Sequence, residues 1–177
     1  MQTVSVRELT KMSLCVALCC ISANIVFPLP FTPTMVTALT IVLSLAAYIL
    51  TPRQTLTVIV VYLLLGAAGL PIFAGTGGIG RLVGPTGGFY FAWLIAYPLL
   101  SALKGTEINF KRYLLANIFI AMPITYAGGL ISMAALMDVS LWQAATMAVF
   151  PFIFGDVLKA AAAAFLGVKL NSSLGHS

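Results

Sequence analysis

Residues 12–52 read MSLCVALCCISANIVFPLPFTPTMVTALTIVLSLAAYILTP, without one Asp, Glu, Lys or Arg. A bilayer crossing needs about 20 consecutive apolar residues. This run is long enough for two, and Pro28, Pro30 and Pro33 in FPLPFTP interrupt it in the middle. The stretch therefore predicts two membrane-spanning helices joined at a proline-rich break.

The rest of the chain repeats the pattern. Residues 54–80, 82–103, 113–137 and 139–155 are also free of charge. Together the runs predict six helices, at about 9–27, 35–51, 54–70, 88–103, 113–136 and 142–169. Composition agrees: of 177 residues, 61% are hydrophobic and 7% charged. Soluble domains carry about 25% charged residues, so lipid must be the solvent here. The expected architecture is an all-α membrane protein, a six-transmembrane-helix bundle forming one domain over residues 1–177. The net charge of +5 comes from singly scattered basic residues that build no basic face, so nucleic acid is not an expected partner.

Lys and Arg set the orientation. An even number of spans puts both termini on one side. With them lie Arg7, Lys11, Arg53, Lys104, Lys111, Arg112 and Lys169, against Arg81 alone on the other side. By the positive-inside rule both termini are cytoplasmic. Arg7 and Lys11 before an apolar run resemble a secretory signal, but no small-residue cleavage site follows, so this segment is expected to remain as the first span.

The connector between helices 3 and 4 is glycine-rich. Nine of the fifteen glycines lie between Gly66 and Gly88, and residues 69–88 read GLPIFAGTGGIGRLVGPTGG. This stretch cannot be regular helix throughout. At membrane depth, irregular backbone is tolerated only against protein or a cavity. Leu70, Ile72, Phe73, Ile79, Leu82 and Val83 would be poor residues for a loop in water. The connector is therefore expected to line a pocket on the outer side. Gly75, Gly77 and Gly80 fit the G-x-G-x-x-G pattern by chance. A dinucleotide site needs a preceding strand and an acid about 20 residues on, whereas here a span precedes and the next acid is Glu107. A P-loop is excluded too, because Arg81 and Leu82 stand where Lys and Ser or Thr are required.

Three charges escape the topological explanation. Asp156 and Lys159 share a helix face at i and i+3 inside the last apolar stretch. Asp156 precedes Lys169 by 13 residues, about 20 Å of helix. An ionisable group at such depth costs at least ~2.5–3.5 kcal/mol, so it is paired or functional. The pair is read as a ligand contact ahead of a structural glue, because apolar residues pack a bundle more easily. Pro151 and Gly155 just before it are expected to kink the helix and open space. Arg81, the third, suits either a ligand carboxylate at a pocket mouth or an anchor reaching the headgroups. Tyr90 and Trp93, three apart on the fourth span, suit either ring stacking or the interfacial aromatic belt.

Other features read blandly. Asn24 and Asn117 are expected to bond between helices. Cys15, Cys19 and Cys20 lie in the first span without a Cys-x-x-Cys pattern, and the only histidine is His176 in the polar tail. No metal site, disulfide or cofactor is expected. The Asn171 sequon is cytoplasmic on this topology.

The glycine-rich stretch at 69–88 followed by FYF, FPLPFTPTMV at 27–36 and FGDVLK at 154–159 resemble the BioY family, in the family's order and over nearly the whole chain. The resemblance implies a biotin-specific S component of an energy-coupling-factor (ECF) transporter in a prokaryotic cell membrane. It implies a six-helix fold, biotin bound near the outer face, and as partners a transmembrane coupling (T) component and two ABC ATPases. It also implies that a small-residue patch on helix 1, nearest to Ser13 and Ala17 here, meets the coupling protein. On this view Asp156 accepts a ureido N–H of biotin, and Lys159 holds Asp156 or another ligand acceptor. Phe73, Ala74, Gly75, Thr76, Gly77 and Gly78, with Thr86, Gly87 and Tyr90, wall the rings, and Arg81 is the candidate for the carboxylate.

Rival classes remain. The same fold would serve another vitamin. A self-contained secondary carrier would show inverted repeats, and no internal repeat is evident. An enzyme is disfavoured by the lack of an in-span His and of any nucleophile–base set.

Overall fold

The computed structural model describes residues 5–27 and 36–173. The proline break at Pro28, Pro30 and Pro33 and the tail with His176 lie outside the described residues. The elements are α1 (Val6–Ser22), β1 (Val26–Phe27), β2 (Val36–Thr37), α2 (Leu39–Ile49), α3 (Pro52–Ala67), α4 (Ile79–Leu82), α5 (Gly87–Leu103), α6 (Phe110–Ala116), a π turn (Asn117–Ala121), α7 (Met122–Met137), α8 (Leu141–Ala148) and α9 (Phe150–Ser173). Among the described residues the regular structure is helical apart from the antiparallel β1–β2 ribbon, which pairs Val26 with Thr37 and Phe27 with Val36. That ribbon was not expected from the sequence. Two rods, Phe110–Met137 and Phe150–Ser173, are long and apolar enough to cross a membrane, and α2, α3 and α5 are shorter apolar helices.

Helix starts follow local chemistry. Ser5 and Thr51 accept from the N3 amides while Glu8 and Gln54 reach back, giving capping boxes on α1 and α3. The break between α8 and α9 falls at Val149, where one continuous helix was expected. Pro151 explains it: proline has no N–H to donate, and its ring clashes with the carbonyl four residues back.

Cross-helix hydrogen bonds set the rods in alternating directions. Gln54 Nε2 donates to Glu8 Oε1, so α1 and α3 begin at the same end. There Lys104 Nζ, just past α5, donates to the carbonyls of Ala47, Tyr48 and Leu50 at the end of α2. These are carbonyls that α2 cannot satisfy within itself. Asn171 near the end of α9 donates to Tyr48 O and Tyr113 Oη. The starts of α1, α3 and α6 and the ends of α2, α5 and α9 thus share one end, which also holds Arg7, Arg53, Lys111, Arg112 and Lys169. The glycine-rich connector occupies the other end.

The interior is tightly packed. Tyr48 and Tyr113 stack with centroids 4.4 Å apart, and Gly167 of α9 lies against the Tyr48 ring. Asn117 donates to Ser44 Oγ and Tyr48 Oη, the inter-helix role expected of it. Asn24, just past the end of α1, instead donates back to Cys20 O of that helix. Gly88 and Gly128 bring the α5 and α7 backbones together, where any side chain would collide.

Candidate functional site

At the connector end, a cavity of about 110 Å³ lies among the helices. The connector supplies Ala74, Arg81 and Thr86. The first half of α5 supplies Phe89, Tyr90 and Trp93; α7 supplies Thr125 and Tyr126; and Ala148, Phe152, Asp156 and Lys159 come from α8 and α9. Ala23, Thr37, Leu39, Thr40 and Tyr62 complete the wall.

The connector is shaped by a tight turn. Phe73 N donates to Thr76 O at 2.8 Å and Thr76 Oγ1 donates to Phe73 O at 2.7 Å. Its central residues, Ala74 (φ 52°) and Gly75 (φ 80°), are both left-handed, as a type I′ turn requires. An L-residue in that region costs roughly 1–2 kcal/mol, so Ala74 is held there by its surroundings. Gly78, also at positive φ, donates its N–H to Gly66 O and ties the connector to α3. The buried Phe73 ring fills the notch left by Gly66. It begins an aromatic ladder, Tyr62–Phe73–Tyr90–Trp93, with neighbouring centroids 5.7, 4.7 and 4.9 Å apart.

The charged groups meet at the cavity wall. Lys159 Nζ lies 2.7 Å from Asp156 Oδ1, and each side chain is 17% exposed. Tyr126 Oη donates to Asp156 Oδ2 at 2.6 Å. Arg81 Nε donates to Thr76 Oγ1 at 3.0 Å, which fastens the guanidinium to the turn. Three further polar atoms on the same wall, Trp93 Nε1, Thr40 Oγ1 and Thr125 Oγ1, are buried without a hydrogen-bond partner among the described residues. Such groups cost about 1–3 kcal/mol each when left unmet. A ligand that meets them recovers that cost. Chemically the wall offers a carboxylate, two cations, a donor-only indole N–H, several Thr and Tyr hydroxyls and several ring faces, a set suited to a small polar ring with an acidic tail.

Of the residues singled out in the sequence, Asp156, Lys159, Arg81, Ala74, Thr86, Tyr90 and Trp93 line this cavity. Phe73, Gly75, Thr76, Gly77, Gly78 and Gly87 stand behind it and build the turn and its packing. Gly77 abuts the Gly69–Leu70 backbone, and Gly87 abuts Leu82. Ser13 and Ala17 are exposed on α1, away from the cavity. Sequence reasoning missed Tyr126, Thr40 and Thr125. Uncharged hydroxyls inside spans bond locally as a rule, so nothing in their spacing marked them.

A family model for the BioY family matches residues 1–176. A probable biotin transporter BioY of Bacillus subtilis is 36% identical over 84% of this chain and 81% of its own length. The biotin transporter BioY2 of Lactococcus lactis is 32% identical over 100% of this chain and 97% of its own. A crystal structure of the S component for biotin from an ECF-type ABC transporter superposes with a TM-score of 0.87, covering 94% of this chain and 92% of that one at 24% identity. That likeness shows the same fold. Matched from residue 1 to residue 176, the chain belongs to the BioY family.

Proposed function

We propose that this protein captures biotin as the substrate-binding S component of an ECF transporter, in the membrane of a prokaryotic cell. The observation that carries this reading is the adjacent acceptor and donor of Asp156 and Lys159, set in an aromatic wall at the end opposite the basic residues. A ureido edge presents an N–H next to a carbonyl and matches that order. Asp156 takes the N–H and Lys159 is shared between Asp156 and the carbonyl. Tyr90 and Ala74 touch the rings, with Phe73, Gly75, Thr76, Gly77, Gly78, Thr86 and Gly87 holding that wall in shape. Arg81 takes the carboxylate.

In this reading the chain is one domain with six crossings: α1, α2, α3, α5, the α6–α7 rod and the α8–α9 rod. Both termini are cytoplasmic. The alternating rod directions and the basic residues at one end support that topology. In the ECF setting a T component and two ABC ATPases supply the energy, with exposed Ser13 and Ala17 on the contact face of α1. Equilibrium binding of labelled biotin to the purified protein, with a competition panel of other vitamins, tests the reading. Displacement by another vitamin in preference to biotin would overturn it. Uptake in cells with and without the ATPase subunits separates it from a self-contained carrier.

A further inference from the structure

Asp156 accepts from two donors, and they differ in origin. Lys159 sits on the same helix, three residues on, and moves with it. Tyr126 reaches across from α7. A carboxylate held by one i+3 partner still turns about its last bond. A second donor on another helix fixes its plane and leaves its remaining lone pairs in a set direction.

Tyr126 owes its place to the π turn. Below the ion pair lies a smaller cavity of about 30 Å³, and Asn117, Met122, Thr125 and Tyr126 all line it. In an uninterrupted α-helix at about 100° per residue, Tyr126 would stand half a turn from Asn117, on the opposite face. The Met122 N–H instead donates to Asn117 O, five residues back. That wider turn absorbs one extra residue, and every residue after it lags by roughly 100°. The lag brings Tyr126 onto the same side as Asn117, against α9.

We propose that Tyr126, turned onto the pocket face by the π turn at Asn117–Ala121, is a positioning residue that holds Asp156 for the N–H donor of the ligand. The proposal rests on the biotin reading above. Removing the hydroxyl leaves Asp156 Oδ2 without a donor in a largely apolar wall, and the carboxylate turns toward Lys159 alone. A residue that merely tied α7 to α9 would change thermal stability and leave affinity alone.

The test is a double-mutant cycle on the affinity of the purified full-length protein for labelled biotin. Tyr126→Phe is expected to weaken binding about tenfold or more, the scale of a hydrogen bond to a charged group. In the Asp156→Asn background the same change is expected to cost less than threefold, because its target is already gone. Deleting Phe119, a residue of the π turn that is 72% exposed, removes the extra residue, so the turn closes to α-helix with Tyr126 still on the pocket face, and the variant binds as the parent does. If the deletion variant does not fold, the Tyr126→Phe cycle decides alone. Unchanged affinity in Tyr126→Phe, or losses that simply add, overturns the positioning role while biotin binding by the parent protein stands. No biotin binding by the parent overturns both.

Discussion

Lys159 Nζ lies 2.7 Å from Asp156 Oδ1, one turn along the same face of α9. Because both side chains reach the cavity, neither charge is spent only on the other. Removing either partner leaves the other ion exposed to a low-dielectric wall.

Asp156→Asn and Lys159→Ala are each expected to weaken biotin binding by about 10–100-fold, from lost hydrogen bonds to charged groups worth about 1.5–3 kcal/mol. Calorimetric titration reads the effect. Unchanged affinity in both variants would sink the role of the pair.

Trp93→Phe is expected to separate affinity from stability. The indole N–H is buried without a partner among the described residues, so its removal leaves the thermal midpoint of the empty protein unchanged or slightly raised. Biotin affinity falls about fivefold, on the scale of about 1 kcal/mol for one neutral hydrogen bond. A fall in stability with affinity intact would assign Trp93 to packing alone.

Arg81 is expected to read charge on the tail. Arg81→Ala should weaken biotin several-fold and leave a neutral biotin amide unaffected, while Arg81→Lys keeps the charge but loses the Nε donor to Thr76. Equal losses for biotin and its amide would return Arg81 to the role of a headgroup anchor.

Gly66→Ala is expected to cost about 1–3 kcal/mol, the range for overpacking a filled interior. The new methyl collides with the Phe73 ring, which is 1% exposed and has nowhere to go. Displacing Phe73 moves Ala74 and Tyr90 with it, so biotin affinity drops alongside the melting temperature. An unaltered midpoint in a thermal scan counts against the notch.

Much of this was legible along the chain. The helical stretches were readable because charge is costly in lipid, so its absence over 12–52 or 113–137 leaves few alternatives to helix. For the same reason Asp156, Lys159 and Arg81 stood out as charges needing a cause. The α8–α9 break was half-legible: Pro151 announced a kink, but its placement at Val149 depended on which carbonyl the proline ring met. The π turn carried a signal that went unread: Pro123, two residues past it, has no N–H to donate and crowds the carbonyl of Phe119, though nothing in NIFIA itself says that the helix widens there.

The sequence by itself determined the solvent, the helical stretches and the shortlist of charged site residues, because those follow from local composition and the cost of burying charge. Tertiary structure alone decided which further uncharged groups join them. Tyr126, Thr40 and Thr125 face the cavity because of helix register and packing. The groups they meet across the wall lie tens of residues away, and a single extra residue in one turn rotates everything after it.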